Sequence, residues 1–139
     1  MIEPIFLTVD DVLSLHADQL ELYGGSPGVR DAGALESAVQ MAQATFGGEF
    51  LHPDLFSMGA AYAFHIAESQ AFVDGNKRAG LNAALVFLVL NGWDVPDPEG
   101  RLYDAMIAIA VRRLDKVGLA QLLEELARPD EEEEGPEAF

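Results

Sequence analysis

The run from Ala79 to Leu90 constrains this chain more than any other stretch. Leu81, Ala84, Leu85, Phe87, Leu88 and Val89 leave a helix there apolar on nearly every side, so it belongs at the centre of a bundle. It falls short of the roughly 18 to 20 apolar residues needed to cross a bilayer, and so reads as a buried core helix. A helical pattern from Asp54 to Ser69 runs up to it. Between the two stands Gln70-Ala71-Phe72-Val73-Asp74-Gly75-Asn76-Lys77-Arg78.

That connection suits a turn that opens a helix and holds an anion. Backbone N–H groups at a helix N-terminus lack partners and carry the positive end of the macrodipole, where phosphate settles readily. Gly75 allows a tight turn and a close approach of backbone to ligand. Lys77 and Arg78 add positive charge, and Asp74 offers oxygens to a divalent cation. Taken alone, Lys-Arg after Asp-Gly-Asn reads more simply as a capped helix start with a solvated charge pair.

The other segments repeat one theme. Thr8 and Asp11 form a helix-start signal, with Val9, Val12, His16, Leu20 and Tyr23 following at helical spacing until Gly24-Gly25. Ser26-Pro27-Gly28 is turn chemistry. Asp31 caps a second helix whose inner face holds Leu35, Ala38, Val39 and Ala42, with Gly47-Gly48 as its breaker. The third helix starts at Pro53 or Asp54, the fourth at Asn76 or Lys77, and Asn91-Gly92 stops the fourth. A fifth is expected from Glu99 to Arg112 with Leu102, Met106 and Ile109 inside, Val111 being a further candidate. A sixth follows Asp115 through Leu119, Leu122, Leu123 and Leu126. No segment alternates with period two, so the expectation is an all-α single domain of about six helices over residues 1–128. Residues 129–139 read as an acidic, disordered tail.

The formal charge of −16 argues against direct contact with a nucleic-acid backbone. Asp130, Glu131 to Glu134 and Glu137 account for six of those charges, which leaves −10 on the rest. Phosphate binding by so acidic a chain needs local donors and a metal, and Asp74 to Arg78 supply both. The absence of cysteine excludes disulfides and thiolate metal sites and suits a cytoplasmic protein. Neither a signal peptide nor a membrane span is expected.

Phe72-Val73-Asp74-Gly75-Asn76-Lys77-Arg78 resembles the signature loop of the Fic fold in its death-on-curing (Doc) toxin variant. Tyr23 to Asp31, Gly33 to Ala38, Ala84 to Leu88 and Asn91-Gly92 are similar to the same family, so the resemblance spans nearly the whole chain. It implies transfer of part of ATP to a hydroxyl on another protein. Most of the superfamily transfers AMP, whereas the Doc variant is a kinase for a threonine of elongation factor Tu, and Lys77 is the feature that selects it. Carried over by position, Asp74 binds Mg²⁺, Gly75 and Asn76 with their neighbouring N–H groups cradle phosphate, Lys77 and Arg78 neutralise the moving phosphoryl, and Phe72 pins the loop in the core. The resemblance also implies an antitoxin whose C-terminal segment folds as a helix into a groove of the toxin.

One position departs from the pattern. The family's loop opens His-Pro-Phe, and its histidine is the catalytic base; this chain has Gln70-Ala71-Phe72. An amide does not titrate near neutral pH. The competing readings are therefore an impaired kinase, a pseudoenzyme that binds nucleotide or a protein partner, and a protein AMP transferase. His65 is the nearest imidazole, but five helical residues turn it away from the loop, and an inner-face histidine beside Tyr62 and Ile66 is the plainer reading. Arg30 and Asp31 read as ties between the loop and the bundle.

Overall fold

The computed structural model describes residues 3–130; the glutamate run and the rest of the expected tail from 131 on lie outside them, whereas Pro129 and Asp130, expected in the tail, are tied to the fold by pairing with Trp93 and by a hydrogen bond to the Gly92 carbonyl. Six α-helices make up the domain: α1 (Val9–Tyr23), α2 (Ala32–Gln40), α3 (Leu55–Ser69), α4 (Asn76–Leu90), α5 (Arg101–Ala110) and α6 (Lys116–Leu126). This is the all-α bundle that the apolar pattern calls for. Four of the helices start where a short oxygen side chain takes up a free N–H. Thr8 and Asp11 form a reciprocal capping box, and Asp31, Asp54 and Asp115 accept from Ala34, Ser57 and Gly118.

The antiparallel pair α3 and α4 forms the centre, and small residues let the two backbones approach. Gly59, Ala60, Ala63 and Ala67 of α3 and Gly80, Ala83 and Ala84 of α4 are all buried. Around this pair the core closes with Tyr62, Ile66, Phe87, Leu88, Leu102, Met106, Leu119 and Leu123. The Tyr62 hydroxyl accepts a hydrogen bond from the Leu7 N–H at 2.8 Å, and burial pushes the phenol up to about 12. Among the described residues no helix is long and apolar enough to cross a membrane.

Three expectations shift in detail. Helix α2 stops at Gln40, earlier than Gly47-Gly48 would place it, and passes into a single 3₁₀ turn, Met41–Gln43. Gly47 and Gly48, both at positive φ, instead turn a short hairpin in which β1 (Thr45–Phe46) pairs with β2 (Glu49–Phe50). Helix α5 is shorter than Glu99 to Arg112, because Arg112 takes the left-handed conformation and Arg113 N–H bonds back to the Ala108 carbonyl. Val111 therefore lies past the helix and is exposed, while Leu102, Met106 and Ile109 are buried as expected. Finally, β3 (Trp93–Asp94) pairs antiparallel with β4 (Arg128–Pro129), so the chain beyond α6 returns to the end of α4.

Away from the α3–α4 loop, α3, α6 and the end of β2 bring three basic side chains together. Lys116 Nζ lies 3.0 Å from Nε2 of both His52 and His65, with the Phe64 ring 5.7 Å away. His65 thus faces α6 and takes no part in the loop. Burial, then the Lys116 charge, then His52 hold its imidazole down to about 4. Burial and Lys116 lower His52 as well; its Nδ1 faces the Met41 carbonyl, which favours the protonated ring without completing a hydrogen bond. Both rings are consequently neutral acceptors for one ammonium, itself lowered by burial.

Both histidines fall below their unfolded value near 6.5, so the unfolded chain binds more protons in acid. Stability from this cluster is complete above about pH 6.5 and declines as pH falls toward 4. After allowance for the partial exposure of His65, the loss is about 1–2 kcal/mol. Urea midpoints at pH 7 and pH 5 should therefore differ less in His65→Gln than in the wild type. Equal differences would remove His65 from the acid response.

Candidate active site on the α3–α4 loop

Helix α3 ends on Gln70, which takes the left-handed conformation at φ 51° and so turns the chain out of the helix. Its carbonyl accepts from Arg30 Nη2 at 2.6 Å and Nε at 3.2 Å. The guanidinium thus caps the negative end of the α3 dipole. Arg30 and Asp31 N–H groups both reach the Ala71 carbonyl, at 2.6 and 3.1 Å, and Val73 N–H donates to Gly28 O at 3.0 Å. The Ser-Pro-Gly turn therefore lies alongside the loop as an improvised strand, with Val29 bridged to Phe72. Arg30 and Asp31 act as ties to the loop and to α2 respectively; they do not pair with each other.

Phe72 is fully buried and anchors the loop in the core. Asn76 closes the loop from within. Its Oδ1 accepts from Phe72 N–H and its Nδ2 donates to Phe72 O, both at 3.0 Å. The Asn76 side chain is thus spent on the loop, and its contribution to an anion is the main-chain N–H. From α1, His16 stacks on Phe72 with centroids 3.8 Å apart and places Nε2 2.8 Å from the Asp74 carbonyl. A carbonyl only accepts, so that nitrogen carries the hydrogen. Gln19 Nε2 donates to Gly75 O at 3.0 Å. His16 and Gln19 are loop-holding residues that sequence spacing did not single out; the one available signal was a histidine within the apolar face of α1.

At the other end of the loop Gly75, at φ 78°, opens α4 without any side-chain cap. Its conformation and its surroundings both demand glycine, since a Cβ would run into Gln19 Nε2. Among the described residues no acceptor meets the N–H groups of Asn76, Lys77 and Arg78. They border a polar cavity of about 380 Å³ that Gln19, Gln70, Asp74, Lys77, Arg78 and Tyr103 also line. Asp74 is exposed, yet fixed: Oδ2 accepts from Ser26 N–H at 3.1 Å and Oδ1 from Gly75 N–H at 2.9 Å.

The Gln70 side chain folds back. Nε2 donates to Ala67 O at 3.0 Å, and Oε1 lies 3.5 Å from Asn76 Nδ2. The loop therefore brings Gln70, Asp74, Gly75, Asn76, Lys77 and Arg78 to one cavity, with donors and cations at one helix start. Residue 70 itself brings an amide, which does not titrate near neutral pH.

Comparison with known proteins identifies the family. The Fic/DOC family profile matches residues 6–88. A protein kinase Doc of Escherichia phage P1 is 35% identical over 121 residues, covering 86% of this chain and 94% of the phage protein. The chain belongs to the Fic/DOC family. A second relative, the toxin Doc of Mycolicibacterium smegmatis, is 38% identical over 104 residues, covering 70% of this chain and 77% of the toxin. The Fic/DOC match runs from just before α1 into the last turn of α4, and so contains every loop residue described above.

The donor set also fits a magnesium ion of the kind that accompanies nucleotide. Among the described residues no group of three or more His, Cys, Asp or Glu side chains could hold a metal alone. Asp74 supplies one anchored carboxylate beside the uncapped helix start. Mg²⁺ is commonly bound through one or two carboxylates together with substrate phosphates and water.

Proposed function

We propose that this Fic/DOC protein is a Doc-type toxin that binds ATP·Mg²⁺ at the start of α4 and transfers its terminal phosphate to a protein hydroxyl. The uncapped N-terminus of α4, with Lys77 and Arg78 on its first turn and Asp74 beside it in the same cavity, carries this reading. Phosphoryl transfer spreads charge over oxygens and asks a protein mainly for positioning and neutralisation. Three free N–H groups and two cations meet that demand in a chain whose net charge would otherwise repel a nucleotide. When bound, Mg²⁺ neutralises phosphate oxygens. The threonine of elongation factor Tu is the acceptor the family suggests, and the partner is an antitoxin whose C-terminal helix occupies a groove of the toxin.

Gln70 sets the rate. Its amide accepts no proton near neutral pH, and a positioned general base contributes about 10²- to 10⁴-fold. The site retains binding and electrostatic stabilisation and lacks deprotonation of the acceptor. That same side chain, hydrogen-bonded back to Ala67, favours the second reading, a protein that binds nucleotide or its partner without transfer.

Incubation with elongation factor Tu and ATP labelled at the α or γ phosphate separates the outcomes. Label from γ alone supports the kinase, label from α makes it an AMP transferase, and none leaves the binding protein. Binding itself is checked by calorimetry with ATP and Mg²⁺. Lys77→Ala is expected to weaken it about tenfold, the loss of one charge-assisted phosphate contact. Equal affinities for variant and wild type would remove Lys77 from the site.

A further inference from the structure

We infer that Tyr23 and Tyr103 are positioning residues that hold the Arg78 guanidinium at the mouth of the cavity for a phosphate, an assignment that rests on the nucleotide reading above. The Arg78 guanidinium carbon lies 4.2 Å from the centroid of the Tyr23 ring and 5.0 Å from that of Tyr103. Tyr23 is the last residue of α1 and Tyr103 sits in the first turn of α5. All three side chains line the same cavity. Among the described residues Arg78 makes neither an ion pair nor a side-chain hydrogen bond with a carboxylate, and its guanidinium lies against the two rings.

The chemistry follows from the planar shape of the group. A guanidinium over an aromatic ring interacts through its face, and its five N–H donors lie in its plane. The rings therefore restrain the cation without consuming the donors that pair with phosphate oxygens. A free arginine loses much rotamer freedom when it binds a ligand, and a side chain already held in place loses less. Both tyrosines remain substantially exposed, at 65% and 38%, so neither is spent on the core. The arrangement also requires arginine. A lysine ammonium, compact and strongly hydrated, presents no planar fork beside a ring.

The test reads the clamp and the ligand separately. With arginine-labelled protein, NMR of the free wild type should show the Arg78 side-chain protons displaced by ring currents. Tyr103→Leu and Tyr23→Leu should each move them toward the position of a solvent-exposed arginine, and Tyr103→Phe should not. Calorimetry with ATP and Mg²⁺ should show affinity about fivefold weaker in either leucine variant and unchanged in the phenylalanine variant. Leucine variants that leave the resonances in place overturn the proposal, as does a phenylalanine variant that behaves like leucine. Resonances that move while affinity stays the same also overturn it, since the rings would then hold Arg78 without serving the ligand. If the wild type binds no ATP, the nucleotide reading fails by itself, and the same variants titrated with inorganic phosphate judge the clamp. Absence of phosphate binding as well overturns both. Should Tyr103→Leu fold poorly, Tyr23→Leu, at a more exposed position, supplies the same comparison.

Discussion

Gln70→His is expected to raise phosphoryl transfer at least tenfold. The lower bound is set well inside the 10²- to 10⁴-fold contribution of a positioned general base, because the loop around residue 70 keeps its Ala71 form. The backbone is ready for the exchange. Residue 70 occupies the left-handed region at φ 51°, where histidine is among the better tolerated residues. Its carbonyl is gripped by Arg30 whatever the side chain, and residue 70 already lines the cavity. Ala71 is fully buried and donates its N–H to Ser69 Oγ at 3.2 Å, a bond that a proline could not make, so the loop has its own stable form without proline. The labelled-ATP assay with elongation factor Tu measures the gain, and growth arrest on expression is its cellular counterpart. A variant that transfers no faster than the wild type would mean that the acceptor hydroxyl does not reach residue 70.

Gly80→Ala is expected to cost about 3 kcal/mol, at the upper end of overpacking penalties. A Cβ at Gly80 would lie 2.5 Å from the Ala63 carbonyl oxygen and 3.2 Å from the Ala67 nitrogen. Those atoms are helix backbone and cannot step aside as a side-chain tip can, so α3 and α4 would have to separate along the centre of the core. For a domain of this size the corresponding fall in melting temperature is roughly 10 °C. Gly59→Ala is the built-in comparison. Its Cβ would meet only side-chain atoms of Leu88, at 3.3 Å, and alanine favours the helix, so the change should stay within about 1 kcal/mol. Urea unfolding of both variants decides the matter. Similar midpoints would show that the close helix contact is not what limits the core.

How much of this was legible in the sequence depends on how far each contact reaches. Helix starts were readable because a cap acts over three residues: Thr8 with Asp11, Asp31 with Ala34, Asp54 with Ser57, Asp115 with Gly118. The loop was readable because its glycine, carboxylate, amide and cations are neighbours in the chain. The hairpin at Gly47-Gly48 was missed because two-residue strands carry no periodicity. His16, Gln19, Tyr23 and Tyr103 meet the loop from α1 and α5, and spacing within one helix says nothing about a ring brought in by another. The partner of His65 likewise comes from α6, where Lys116 reads as an ordinary first-turn residue.

The Arg30 grip on Gln70 has a consequence for how this protein can change over time. What Arg30 takes from residue 70 is its carbonyl, supplied equally by every amino acid, at a turn that several residues tolerate, while the glutamine amide adds only local bonds to Ala67 and Asn76. The proton chemistry resides only in the side chain. Glutamine and histidine codons differ in the third base alone, so a lineage can lay down or recover the base in one mutational step while the loop, the cavity and the helix start persist. Under the proposed function, transfer is heritable separately from architecture.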